Sequence, residues 1–136
     1  MNIDHVFVIN LKNRTDRWNE INDNFKGSNL KLNRWDAVNG KELSEAEIDG
    51  LTTKFCNNFC SYGIIGCWMS HYKLWQHIVD HKLNNVLVLE DDARPAVAIS
   101  EFNDKLNNLN VPSDYDLVYL GCFGSCDKIG DNVFNL

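Results

Sequence analysis

The chain is short of positive charge. Lysine and arginine together number 13 against 19 aspartates and glutamates, leaving a net charge of −6, and no basic stripe exists to neutralise a run of phosphates. That excludes nucleic acid as a partner. Long apolar runs are scarce as well: near the N-terminus Val6 to Ile9 is broken by Asn10, which is too short for an export signal or a membrane span. A protein with no transmembrane segment is expected, in the cytoplasm of a bacterium or of a virus-infected host cell. Internal repeats and low-complexity blocks are absent too. The five cysteines make an odd count, and without an export signal reduced thiols are the expectation. What is present is ordinary. With 136 residues, 44% hydrophobic and 24% charged, the chain suits one domain with a real core, short for an enzyme that must hold two substrates.

The most informative stretch is Asn85-Val86-Leu87-Val88-Leu89-Glu90-Asp91-Asp92. Its branched apolar residues suit a strand buried on both faces, as in a parallel sheet, and a carboxylate cluster follows without a break. If strand alternation continues, Glu90 and Asp92 share one side, roughly 6.7 Å apart, with Asp91 opposite. Two like charges at that distance repel by about 2.5 kcal/mol at an effective dielectric of about 20, so full ionisation calls for a cation. A hard divalent metal, Mn²⁺ or Mg²⁺, would supply it, since open parallel sheets bind ligands at the carboxyl ends of their strands. The alternative is a solvated acidic turn capping a helix near Pro95. An acidic chain that handles a phosphorylated ligand also needs local cations, for which Arg14, Arg17 and Arg34 are available beside a metal.

Around this stretch strands and helices alternate. His5 to Leu11 reads as a strand, followed by a helix that Asn13 can cap and that places Trp18, Ile21, Asn22 and Phe25 on one face. Leu30 to Val38 reads as a second strand, ended by the Asn39-Gly40 turn. Ser44 and Glu47 have capping-box spacing, and Leu51 to Tyr62 reads as a surface loop. Ile64 to Leu83 gives the strongest helical signal. There Trp68, Tyr72, Trp75 and Val79 form one stripe and Cys67, His71, Leu74 and Ile78 another, so a wide apolar face against a sheet is expected. On that reading the aromatic residues are core rather than sugar-stacking platforms. A helix from Ala96 to Leu109 and a buried strand from Tyr115 to Gly121 complete the series. The architecture expected is α/β, a mostly parallel sheet with helices on both faces.

Several separated blocks now stand in order: Ile9-Asn10-Leu11 with Arg14 and Asp16-Arg17; Asp36-Ala37-Val38-Asn39-Gly40; Gly63 and Gly66-Cys67, then Ser70-His71 and Trp75; Val88 to Asp92; and Tyr115 to Gly121. The pattern resembles glycosyltransferase family 25, which includes lipopolysaccharide-type galactosyltransferases and the procollagen galactosyltransferases. The resemblance implies a Rossmann-like glycosyltransferase fold of the A type, a UDP-sugar donor, commonly UDP-galactose, Mn²⁺ dependence and inversion at the anomeric carbon. It places Glu90, Asp91 and Asp92 where the family has its acidic metal motif, with Asp92 and Glu90 as metal ligands. Asn10, Leu11, Arg14, Arg17, Ser70, His71, Glu90 and Asp91 are the expected nucleotide-sugar contacts. Arg14 and Arg17 suit phosphate through their forked donors, or else pair with Asp16 and Glu20 on the helix surface. His71 either touches the donor or is satisfied against the sheet.

The family's domain is longer, and its C-terminal half builds the site for a carbohydrate or other hydroxylated acceptor and carries the general base. Residues 1–121 thus read as the nucleotide-sugar-binding part, and 122–136 as a loosely ordered tail or the start of the missing half, truncated here or supplied by a second polypeptide. Two alternatives stand beside a metal-assisted galactosyltransferase. One is a non-catalytic nucleotide-sugar-binding or interaction module. The other is structural zinc on Cys56-x₃-Cys60 and Cys122-x₃-Cys126.

Overall fold

The structure, a computed structural model, describes residues 3–111, 115–120, 127–130 and 133–135, the last two segments and position 57 by backbone alone. At its centre is β1, His5–Asn10, with β2, Leu32–Asp36, on one side and β3, Val86–Glu90, on the other. Both pairings are parallel and the order is β2-β1-β3, so the first strand is covered by neighbours along both edges. All the carboxyl ends point the same way, bringing Asn10, Asp36 and Glu90 to one rim of the sheet.

Helices cover both faces, as the sequence led one to expect. On one face Val8 packs with Ile21 of α1, Thr15–Asn24, and with Phe25 just past its end, and Phe102 of α5, Ile99–Asn107, closes the cluster edge-to-face on Phe25. On the other face Phe7 and Trp35 meet His77 of α4, Tyr62–Asp80. This split follows from β1 itself, whose side chains alternate so that Val8 and Phe7 must serve opposite layers. A second core gathers Ile48 of α2, Glu45–Leu51, with Ile65 and Met69 of α4, against Val38 and Leu43. The Ser44–Glu47 capping box forms as read from the sequence.

Four expectations need correcting. The stretch from Leu51 to Tyr62 is not loop throughout: it holds α3, Lys54–Phe59, started by Thr53, whose hydroxyl accepts from the Cys56 amide. Within it Cys56 and Cys60 are joined as a disulfide, which replaces the expected reduced thiols and removes two thiolates from the structural-zinc reading. Helix α1 is not capped by Asn13. Its N-cap is Arg14, with no side-chain cap, and Arg14 instead grips Asp16 in the first turn. Finally, the strand expected at Tyr115 to Gly121 is not formed in the described residues 115–120, where Leu117 and Tyr119 stay exposed. A parallel edge strand needs cover on both faces, and these side chains have none.

Helix α4 forms, but turned from the expected orientation. Its buried side is Ile65, Gly66, Met69, Ser70 and Leu74, whereas Trp68 is 45% exposed and Val79 73%. Trp68 stacks on Tyr72 outside the core, with ring centroids 5.5 Å apart. Neither expected stripe is the buried face: of their members only Leu74 is fully buried, and Cys67 is exposed, so sequence periodicity did not find the seat. The seat is set by backbone contact between α4 and the loop after β2, described below. Beyond residue 121, β4, Asp127–Gly130, pairs with β5, Val133–Asn135, as an antiparallel hairpin. No described helix is long and apolar enough to cross a membrane.

Candidate functional site

A cavity of about 340 Å³ opens at the carboxyl rim of the sheet. Four segments line it: Ile9, Leu11, Arg14 and Arg17 after β1; Ala37 to Lys41 after β2; Tyr62, Gly63, Gly66, Cys67, Ser70 and His71 on the first half of α4; and Glu90 and Asp91 at the tip of β3. That is where an open parallel sheet receives ligands, because the strand ends and the loops leaving them diverge there.

Glycine makes one wall possible. A Cβ on Gly40 would stand 1.8 Å from the Tyr62 carbonyl oxygen, and one on Gly66 would stand 2.6 Å from the Val38 carbonyl oxygen. Only glycine at both positions lets the loop after β2 lie directly on α4. Ser70 fixes the same contact: buried, its hydroxyl accepts from the Val38 amide at 2.8 Å and donates to the Gly66 carbonyl at 2.6 Å. Asn39 then caps a single 3₁₀ turn, Gly40–Glu42, its side-chain oxygen accepting from the Lys41 amide, and that turn sets Lys41 at the cavity edge.

The opposite wall is held by charge. Asp91 is 13% exposed and both of its oxygens are engaged, Oδ1 by Arg17 Nη1 at 2.8 Å and Oδ2 by Asn10 Nδ2 at 2.7 Å. Asn10 Nδ2 also donates to the Arg14 carbonyl, so Asn10 pins the start of the helix beneath the cavity rather than lining it. Its own Oδ1 is buried without a partner. Arg17 does not pair with Glu20, which is taken by Arg94. Arg14 does pair with Asp16, through two guanidinium nitrogens, and this contact holds the Asp16 carboxyl down at about 2. Arg34 is turned away from the cavity: its Nη2 donates to the Leu11 and Lys12 carbonyls and its guanidinium lies over Trp18.

The acidic stretch behaves differently from a continued strand. The ladder stops at Glu90, where the Ala93 amide returns to the Glu90 carbonyl, so alternation does not extend to Asp92. Glu90 and Asp91 both reach the cavity, whereas Asp92 stands outside its lining, 66% exposed and 3.7 Å from Arg17. Nor does the turn cap a helix: α5 starts at Ile99 behind Ala98. Glu90 Oε1 lies 3.4 Å from His71 Nε2, and the free thiol of Cys67 is close to both. Burial, and then the Glu90 charge, push the Cys67 thiol upward.

Of the residues expected to contact a nucleotide sugar, Leu11, Arg14, Arg17, Ser70, His71, Glu90 and Asp91 thus line one cavity, and Asn10 sits behind it. Lys41, Tyr62 and Cys67 were not foreseen as site residues. The Asn39-Gly40 turn was a usable signal for Lys41, and the spacing of Cys67 four residues before His71 on α4 was one for Cys67.

The oxygen donors expected for Mn²⁺ or Mg²⁺ are exposed but divided: Glu90 faces the cavity beside His71, Asp92 stands outside the lining beside Arg17, and Asp91 is committed to Arg17 and Asn10 and serves to position the turn.

Sequence comparison agrees with this geometry. The model of the family described as glycosyltransferase family 25 (LPS biosynthesis protein) matches residues 3–122. A Drosophila pseudoobscura protein named glycosyltransferase 25 family member is 32% identical over 89% of this chain and 21% of its own length. Human procollagen galactosyltransferase 2 is 31% identical, with 89% of this chain and 21% of that protein covered. For zebrafish (Danio rerio) procollagen galactosyltransferase 1 the identity is 34%, over 89% and 22%. The chain therefore spans about a fifth of the length of these curated relatives. A match across nearly every described element, from the strand that centres the sheet to the acidic tip of β3, places the chain in glycosyltransferase family 25.

Proposed function

We propose that this chain forms the donor-binding part of a metal-assisted glycosyltransferase, taking a UDP-sugar, with galactose the favoured sugar, in the cavity at the carboxyl rim of the sheet. The observation that carries the proposal is the convergence there of Arg14, Arg17 and Lys41 with Glu90 and Asp91, cations and carboxylates around one cavity. The cations suit a pyrophosphate, which Arg14 and Arg17 would hold through forked hydrogen bonds. Glu90 and Asp92 would hold Mn²⁺ or Mg²⁺. Once bound, the ion would neutralise charge on the departing nucleotide. Asp91, fixed by Arg17 and Asn10, keeps the turn and helix α1 in register so that cations and carboxylates face the same space. The names of the human and zebrafish relatives favour galactose as the transferred group. A carbohydrate or hydroxylated acceptor is part of the same proposal, with attack opposite the leaving nucleotide and inversion at the anomeric carbon.

Calorimetry of UDP with and without Mn²⁺ tests donor binding. Binding that needs Mn²⁺, and that Asp92→Asn weakens tenfold or more while circular dichroism is unchanged, is the expected result; equal affinity in the variant would place the ion elsewhere. A second reading is a module that binds the nucleotide sugar without transferring it. Galactose transfer or slow hydrolysis of UDP-galactose by the purified chain separates the two, since a pure binder leaves the donor intact.

A further inference from the structure

The geometry points to a second, softer metal site in the same cavity, in which Cys67 Sγ, His71 Nε2 and Glu90 Oε1 bind one Zn²⁺-class ion and leave a fourth position for a water or phosphate oxygen. The three ligand atoms lie within 4.8 Å of one another. Cys67 and His71 stand four residues apart on α4, so one helix face presents both donors, and Glu90 reaches them from the tip of β3.

Distances favour a metal over a simple hydrogen bond. His71 Nε2 and Glu90 Oε1 are 3.4 Å apart, beyond the usual range of about 2.7–3.2 Å for a nitrogen–oxygen hydrogen bond. In a tetrahedral site with bonds of about 2.0–2.1 Å to nitrogen and oxygen, ligand atoms are separated by about 3.4 Å, and a nitrogen–thiolate edge is about 3.6 Å. The nitrogen–oxygen edge therefore matches already, and the sulfur, within 4.8 Å of both, has to move closer to complete the site.

Donor chemistry selects the ion. Thiolate and imidazole beside one carboxylate suit zinc, cobalt or ferrous iron, whereas Mn²⁺ and Mg²⁺ prefer oxygen. Since Glu90 is common to both sites, a zinc-class ion here would withdraw it from the oxygen-ligated ion of the donor proposal. The trio itself stands whether or not that proposal holds, because its test uses no nucleotide.

Co²⁺, a spectroscopic substitute for zinc, would be titrated into the whole chain under a thiol-free reductant. The expected result is a thiolate-to-cobalt charge-transfer band with tetrahedral d–d absorption, removed by one equivalent of Zn²⁺. Cys67→Ser should abolish the charge-transfer band. His71→Ala and Glu90→Gln should each weaken Co²⁺ affinity tenfold or more, with the helical circular dichroism signal intact. A double Cys122→Ser, Cys126→Ser variant should keep the band. No charge-transfer band, a band that survives Cys67→Ser, or one lost in the double variant would each overturn the site.

Discussion

Asp91 carries the charge balance of the cavity's edge, since a guanidinium and an amide occupy its two oxygens and tie α1 to the end of β3. Breaking that link should be felt in both places. Arg17→Ala is expected to lower the urea midpoint only slightly, less than breaking a buried pair would, because Arg17 is solvated. The same variant should lower UDP affinity; unchanged stability together with unchanged affinity would show that the pair does neither job. Asp16 offers a cleaner titration. Folding depresses its carboxyl to about 2 through the Arg14 hydrogen bond, so the stability it contributes is complete above its ordinary value of 3.8 and fades as pH falls through about 2. A carbon-detected NMR titration should place its midpoint near the lower value, and Arg14→Ala should move the midpoint back up.

Helix α4 brings the largest single set of residues to the cavity, and its seating depends on main-chain contact more than on its aromatic residues. Gly66→Ala should press a methyl group against the Val38 carbonyl, lowering stability by about 1–3 kcal/mol and displacing the loop that carries Lys41. The thermal midpoint would show the first effect and nucleotide titration the second. Leu74, wholly buried, and Trp75, half exposed, are neighbours with opposite expectations. Leu74→Ala should cost about 2–5 kcal/mol, whereas Trp75→Gln should cost under about 1 kcal/mol. The reverse ranking in chemical denaturation would mean the helix is rotated from its described seat. This helix also shows why periodicity alone was insufficient. Two stripes ran side by side in the sequence, yet the buried face runs through Ile65, Gly66, Met69, Ser70 and Leu74, seated by Gly40 and Gly66, whose meaning is a contact distance across the fold. Helix α3 escaped notice for another reason: its six residues offer only the Thr53 cap and the Phe55–Phe59 pair as signals, and both rings stay exposed.

Considered as one molecule, the chain carries a net charge of −6 yet gathers Arg14, Arg17 and Lys41 around the cavity. Attraction of a polyphosphate to so local a set of cations should weaken with salt, because screening shortens from about 8 Å at physiological ionic strength to about 3 Å at 1 M. UDP affinity measured across that range should fall steadily, and salt-insensitive binding would assign recognition to uncharged groups. The parallel order of the strands and the acidic end of β3 were legible because apolar runs and charge clusters are local properties. The Arg17–Asp91 bridge was not, since its partners are 74 residues apart and become neighbours only once β1 and β3 pair. The glycine seam between the loop after β2 and α4 has a further consequence. Where peptide groups touch peptide groups, exchanging side chains cannot retune the opening, so its calibre on that flank is common to every sequence that keeps both glycines. Diversity in the sugars accepted would then have to be written on the bordering positions, Lys41, Tyr62 and Cys67 foremost.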